Sequence, residues 1–496
     1  MIARSENTGR KGERVRGCEG TRSLTLSLSH VLLLASFFIN LYSSAQVPAV
    51  LSREAFVRIV LDNHPMAKQA ALRTGMGEAT MRSARGSFDP VATAGYEEKR
   101  FDDKNYFTLL DAGLKVPTWY GVDLIAGFQD NGGDLLDPQA ATPADGLIKA
   151  GVLVPLGQGL FIDQRRATFR KAQAYQRATE GERQQLLNTL LLQALNDHTD
   201  WVAAYRALEI TNTAVDLANA RLDNVRGSWG GGDRPAIDTL EAYLQVQDRQ
   251  MRQQQAALNF RNAGLRLSNH LWDGSQRPLE LQANVLPETT DLASPALNML
   301  SDTAIARAIE THPFLAQASA RIEQLEVDRR LRSEFLKPEL DVKYEWLGNG
   351  GALRTENGTT LLGDGHQVGV GFSMPLFLRR ERGELTLAKL RSTDAELGIA
   401  RDRTMIRNRI NERLNDIATA RQQVDLGASM LTNNERLLNG ESQRFNAGES
   451  SLFLVNAREV PLIDARIRQV DLEARLRRSY FTLDHDAGML WSAWQR

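Results

Sequence analysis

Asn63-His64-Pro65 opens one stretch of this chain, and Thr311-His312-Pro313 opens another 248 residues further on. Pro90 and Pro338 follow at the same offset, and so do Tyr96 and Tyr344. A proline just after His64 and His312 suits the first position of a helix, where its missing N–H is no loss. Each landmark triplet therefore predicts a helix, a break at Asp89-Pro90 or Lys337-Pro338, and then a strand. Solenoid units repeat every ~20–50 residues, so this offset is a duplicated half-molecule instead. The expected division is residues 46–300 for the first repeat and 301–496 for the second. Each reads helix, strands, long helix, turn, long helix.

The long segments are helical by period. Leu187, Leu190, Leu191, Ala194, Trp201, Val202, Tyr205, Leu208, Val215, Ala218, Leu222 and Val225 recur at three-and-four spacing between polar residues. A helix of about 60 residues spans roughly 90 Å, which no small globular domain needs. The same texture returns from Glu384 to Gly440 and from Leu452 to about Leu490. An amphipathic rod of this kind has to lie against other rods. Gly227 to Pro235 and Phe445 to Ser451 are the predicted hairpin tips, with Gly448 suited to a left-handed helix end.

Strands are expected opposite those tips. Leu340, Val342, Tyr344 and Trp346 alternate with Asp341, Lys343 and Glu345. Val368, Val370, Phe372, Met374 and Leu376 alternate with small or polar residues, as do Val122, Leu124, Ala126 and Phe128, and Ile148, Ala150, Val152 and Val154. One apolar face per strand fits either a transmembrane β-barrel or a half-buried periplasmic sheet. The stretches from Asp130 to Gly146 and from Asn349 to Gly365 read as loops.

Leu24 to Leu41 is an apolar stretch behind Arg4, Arg10, Lys11, Arg14, Arg16 and Arg22, and Ser43-Ser44-Ala45 follows it. That order predicts a signal peptide over 1–45, cut between Ala45 and Gln46; an N-terminal membrane anchor is the other reading. Beyond Ala45 the chain holds 54 Lys and Arg against 58 Asp and Glu, a net −4, which argues against a nucleic-acid partner. Cys18, the only cysteine, lies ahead of the cut, so the exported chain has no disulfide, no thiol chemistry and no lipidated first residue. No later apolar run approaches the ~18 residues of a membrane-spanning helix. Any membrane insertion must then use strands.

Catalytic and cofactor signals fail on inspection. Gly157 and Gly159 begin a dinucleotide fingerprint, but Ile162 takes the third glycine's place and no βαβ unit follows. Gly230-Gly231-Gly232 lacks the Lys-Ser/Thr pair of a phosphate loop. His64 and His312 occupy equivalent places that invite a metal pair, yet each is better read as a helix boundary. No catalytic triad, metal cluster or cofactor is expected, and the chain is not expected to be an enzyme.

Duplication, export signal, long hairpins and a strand hairpin in each half together resemble the TolC-type outer-membrane efflux protein family. Val154-Pro155-Leu156 and Met374-Pro375-Leu376 match its strand exits, and Arg444-Phe445-Asn446-Ala447-Gly448 matches its turn. The resemblance covers essentially residues 50–490. It implies an α+β membrane protein: a homotrimer whose antiparallel helical hairpins form a periplasmic tube and whose strands share one barrel among outer-membrane lipids. It also implies a passive export duct working with a periplasmic adaptor (membrane fusion protein) and an inner-membrane pump. Physics agrees, since one protomer has too few strands to close a barrel and open sheet edges cannot face lipid. A periplasmic coiled-coil adaptor or structural protein without a barrel is the competing reading.

Two departures stand out. Tyr96 and Pro155 are 59 residues apart where Tyr344 and Pro375 are 31 apart. The surplus predicts an extra hairpin turning at Pro117 to Gly121, placed either in the barrel or at its periplasmic rim. The second departure concerns the pore entrance. The family's closed tip is held by a Tyr and an Arg flanking the turn glycine, with acids along the helix; here those positions are Phe445, Ser450, Leu454 and Asn456. The first half keeps acids nearby, Asp238 and Glu241. Asp238 is then either a solvated helix-face acid or, in threefold copies, a ring of carboxylates. Closure is expected from packing of Phe445 and Leu454 rather than from hydrogen bonds, and adaptor contacts are expected at Gly230, Gly231, Gly232, Ala447, Gly448 and Ser450.

Overall fold

The computed structural model describes residues 49–292, 302–350 and 365–495. The expected signal peptide and most of the loop after Asn349 lie outside these residues. In chain order come α1 (Arg53–Asn63), α2 (Pro65–Gly86), β1 (Val91–Phe101), β2 (Lys104–Pro117), β3 (Asp123–Gly132) and β4 (Leu147–Pro155). The rods α3 (Gln164–Gly230) and α4 (Ala236–Ser268) complete the first copy. The second copy runs α5 (Asp302–Glu310), α6 (Pro313–Glu334), β5 (Glu339–Asn349), β6 (Gly365–Ser373), α7 (Arg379–Asn446) and α8 (Leu452–Asp486).

The duplication holds to the residue. α2 and α6 are both 22 residues long, and β1 and β5 both 11, each at the same offset as the His-Pro landmarks. His64 and His312 are N-caps. Their Nδ1 atoms accept from the backbone N–H of Met66 at 3.1 Å and of Phe314 at 3.2 Å, satisfying a donor that the helix itself leaves orphaned. The two halves are not separate bodies. α3 packs on α2, α4, α6 and α8, and β4 pairs with β5 across the repeat boundary.

α3 spans 67 residues and α7 68, so each rod is about 100 Å long. Both exceed the sequence expectation at their ends. Gly227, Ser228 and Trp229 are helical rather than part of the turn, with Gly231 N–H reaching the Gly227 carbonyl at 3.1 Å. Proline breaks one rod and not another. Pro235 caps α4, whereas Pro461 sits inside α8, where packing against α7 and α3 holds the helix through one missing bond.

These six strands form one antiparallel sheet in the order β1-β2-β3-β4-β5-β6, and Val50–Leu51 pairs in parallel with Leu286–Pro287 in a separate two-stranded sheet. The extra segment is the hairpin β2–β3, and it belongs to this sheet rather than to its rim. It turns at residues 118–122, beside the helix ends. There Trp119 stacks on Phe88 at 3.8 Å, and Asp123 pairs with Lys115 and with Arg165, both at 2.9 Å. The β6 strand stops at Ser373, so Met374 and Leu376, expected in it, lie past its end; Pro375 between them has no N–H for a ladder.

Register sorts the sheet into two faces, because paired residues point the same way. One face carries Tyr96, Leu114, Ala126, Phe128, Val152, Tyr344 and Val370. The other carries Asp111, Lys115, Gln129, Lys149, Lys343 and Glu345, with Gly95, Gly113, Gly127, Gly151 and Gly369 between them. The apolar face runs unbroken through the extra hairpin.

The largest core joins α1, the middle of α3 and the last turns of α4, around Phe56, Leu190, Leu191, Trp201 and Leu267. His198 stacks on Phe56 at 5.3 Å, and burial pushes its pKa down to about 4. Burial, with His270 nearby, pushes His64 down to about 4 as well. A smaller equivalent core in the second copy holds Ile410, Leu476 and Tyr480.

Candidate pore entrance at the helical tips

Both rods end in the same way. After α3, Gly232 adopts φ +83°, its N–H reaches the Trp229 carbonyl, and Asp233 N–H reaches the Ser228 carbonyl. After α7, Gly448 adopts φ +79°, with matching bonds from Gly448 to Phe445 and from Glu449 to Arg444. This pattern satisfies the last carbonyls of a helix, and the positive φ strains any residue with a Cβ. The glycines fix a correspondence the sequence left unseen: Trp229 is the first-half counterpart of Phe445. Each aromatic stands three residues before its left-handed glycine. The signal for it in the sequence is an aromatic three residues before a tip glycine, Trp229 before Gly232 as Phe445 before Gly448.

The two tips meet. Ala218, Leu222, Val225, Ala242, Val246 and Leu452 form one buried apolar cluster, and Phe445 packs against it. The Arg234 guanidinium of the first tip lies 4.6 Å from the Phe445 ring centroid of the second, a cation–π contact. Leu454 does not join the cluster; it stays 38% exposed while Leu452 takes the buried place. Ser451 caps α8 there, which turns Leu452 inward and Leu454 outward.

Hydrogen bonds also tie the hairpins together, and they join the expected Asn456 and Glu241 to Arg221 and Glu459, which no sequence pattern marks. Arg221 of α3 donates to Asn456 Oδ1 at 2.9 Å and pairs with Glu459, both on α8. Asn456 donates in turn to Glu241 of α4 at 3.3 Å. Asn456 and Glu459 are buried. The structure thus brings Glu241, Asn456 and Phe445 into one region and adds Arg221, Arg234 and Glu459. Within the protomer the tip is held by hydrogen bonds as well as by apolar packing. No single-residue pattern marks Arg221, since one arginine among the many on α3 acquires its partner only when the hairpins pack.

Asp238 sits in the first turn of α4, where the helix N-terminus favours a carboxylate, and pairs with Arg234 at 3.5 Å. Gly230, Gly231, Gly232, Ala447 and Gly448 are all exposed. Ser450 is half-buried, donating to Glu441, whose carboxylate also faces Arg444 and Arg458. Ser450 therefore braces its own tip. Among the described residues no three His, Cys, Asp or Glu side chains are grouped to hold a metal ion, and no helix is long and apolar enough to cross a membrane.

Residues 304–488 match the family model described as outer membrane efflux protein. No curated protein sequence matches the chain. Among solved structures, the outer-membrane channel OprN aligns with a TM-score of 0.63 at 15% identity, over 89% of this chain and 90% of that one. The MtrE outer membrane channel of Neisseria gonorrhoeae, in its open state, aligns at 0.63 and 12%, over 88% and 89%. The outer membrane protein VceC of Vibrio cholerae aligns at 0.60 and 13%, over 90% and 97%. Residues 304–488 thus carry the outer membrane efflux protein pattern, and about nine-tenths of the chain shares its fold with these outer-membrane channels.

Proposed function

We propose that this protein is a trimeric outer-membrane channel, a passive duct through which an inner-membrane pump and a periplasmic adaptor export their cargo. The sheet carries the reading. Its strands of 11, 14, 10, 9, 11 and 9 residues suit a bilayer crossed by tilted strands of about 9–11 residues. Their apolar face turns to lipid and their polar, glycine-rich face to the lumen. A soluble adaptor would bury such a face, and here Tyr96, Val368, Val370 and Phe372 on it are all more than half exposed.

The helices supply the second support. Ile237, Leu244, Met251, Leu258 and Leu265 recur every seven residues along α4, all exposed. Leu390, Leu397, Leu426 and Leu437 are exposed along α7. α4 packs on α3, and α7 on α6 and α8, so these stripes lie on opposite flanks of the protomer. A heptad stripe without a partner calls for another helix. Joining the α7 flank of one copy to the α4 flank of the next is a head-to-tail contact, which closes as a ring. Exposed Trp229 and the glycine tips leave the tube's end open to an adaptor.

Fractionation and electrophysiology test this reading. The protein should co-sediment with outer membranes, migrate as a trimer until heated, and open pores in planar bilayers. Recovery as a soluble monomer without conductance would overturn it.

A further inference from the structure

We infer that the shared barrel has eighteen strands, closed by β6 of each protomer pairing with β1 of the next. This rests on the trimeric channel reading and extends it to the barrel's gauge. Among the described residues six strands per protomer form one sheet, in which only β1 and β6 have an unpaired edge. The chain rises along β1, descends along β6 and alternates between, so β6 meets a neighbouring β1 antiparallel, as the rest of the sheet requires. Both edge strands are exposed along their whole length, and Phe372, Leu376 and Phe377 at the foot of β6 are 70%, 92% and 70% exposed. In lipid an open ladder costs several kcal/mol per unsatisfied group, so these edges need a partner. A second copy is that partner, because β6 lies on the α7 flank and β1 on the first-half flank, continuous with the helical seam described above.

The extra hairpin decides the number. Its register continues the apolar face through Leu110, Ala112, Leu114, Ala126 and Phe128, and its turn is fixed to α3 by Asp123–Arg165. Without it each protomer would supply four strands. For strands 4.8 Å apart tilted about 40°, eighteen give a barrel about 36 Å across between backbones, and twelve give about 24 Å. A barrel of that width leaves an aqueous lumen after side chains are counted. The outer-membrane end is then the wide end of the duct, and the helical tips set the largest cargo.

Cysteine cross-linking tests the closure, in the full-length protein in native outer membranes. The exported chain is expected to lack cysteine, so paired substitutions report cleanly. One cysteine goes at Thr93, Gly95 or Glu97 of β1, the other at Gln367, Gly369 or Gly371 of β6, all on the lumen face. At least one pairing should convert most monomer to covalent trimer on oxidation, since neighbouring strands bring Cα atoms within disulfide reach. Pairings of Gly127→Cys on β3 with the same β6 positions should give none. Cross-links from β3 and none from β1 would mean a twelve-stranded barrel of β3 to β6 with β1 and β2 outside it, and would overturn the inference. So would a native trimer that cross-links at neither. Absence of any trimer in the untreated membrane would instead sink the underlying channel reading. As a second readout, a membrane-impermeant maleimide added with the pore open should label cysteines at Asp111 and Lys115 and spare those at Ala112 and Leu114. Equal labelling would also overturn it.

Discussion

Replacing Arg221 by Met should open the resting channel. Arg221 pairs with the buried Glu459 carboxylate and also holds Asn456 at 2.9 Å. The Glu459 side chain is 4% exposed and that of Arg221 21%, so neither is strongly screened by solvent. Removing one partner of a buried pair costs about 3–5 kcal/mol, because the remaining charge is left in a poor solvent. The substitution keeps most of the apolar stem, so lost packing is small. The tip can relieve the orphaned carboxylate by separating α8 from α3 and admitting water. If half the lower figure is recovered that way, about 1.5 kcal/mol, the open-to-closed ratio rises roughly tenfold per protomer. Single-channel recording of the purified trimer reads this as raised resting conductance or more frequent openings. Glu459→Gln in the same chain removes the orphan charge and should return the variant most of the way to the parent. The reasoning is refuted if Arg221→Met rests as quietly as the parent, or if the double variant leaks more than the single one.

Other outcomes follow from the same geometry. Asp238→Asn should lower cation selectivity in bilayer reversal potentials, since three carboxylates at a narrow entrance favour cations; Phe445→Ala, which removes the ring beneath Arg234, should raise resting conductance, and parent-like behaviour of both variants would discard the entrance assignment. Gly448→Trp should abolish export yet leave the trimer intact on native gels, because Gly448 lies at φ +79° on an exposed tip far from the seam strands; loss of the trimer would contradict this. Acid should lower the apparent melting temperature. Neutral His198 and His64 favour the folded state above pH 6.5, and that contribution is lost as pH falls toward their folded values of about 4. Asp484, pushed up to about 6 by burial, works oppositely, its penalty lifting as pH falls from 6 toward 3.8. His198→Phe should therefore flatten the acid loss and Asp484→Asn steepen it, and identical pH profiles would refute both. Intact mass of protein from outer membranes should equal residues 46–496 without lipid; an uncut or lipidated chain would reject the export reading.

The sequence by itself determined the duplication, the long rods and the two tips. Those features rest on local rules: a His-Pro helix start, three-and-four periodicity, and a glycine that tolerates positive φ. It also determined that strands alternate, because side-chain direction along a strand is a property of the backbone. Three things were decided only by tertiary structure. The extra hairpin's place in the sheet depends on pairing between β2 and β1 and between β3 and β4, and alternation alone is the same in a barrel or at its rim. The helix through Pro461 survives because the neighbouring rods α3 and α7 offset a poor local propensity. The buried ion pair near the tips is the clearest case. Arg221 and Glu459 are 238 residues apart, and each alone reads as a solvated helix charge. Their opposition is created when two hairpins pack side by side, and a charge pair at that separation leaves no periodic trace for the sequence to carry.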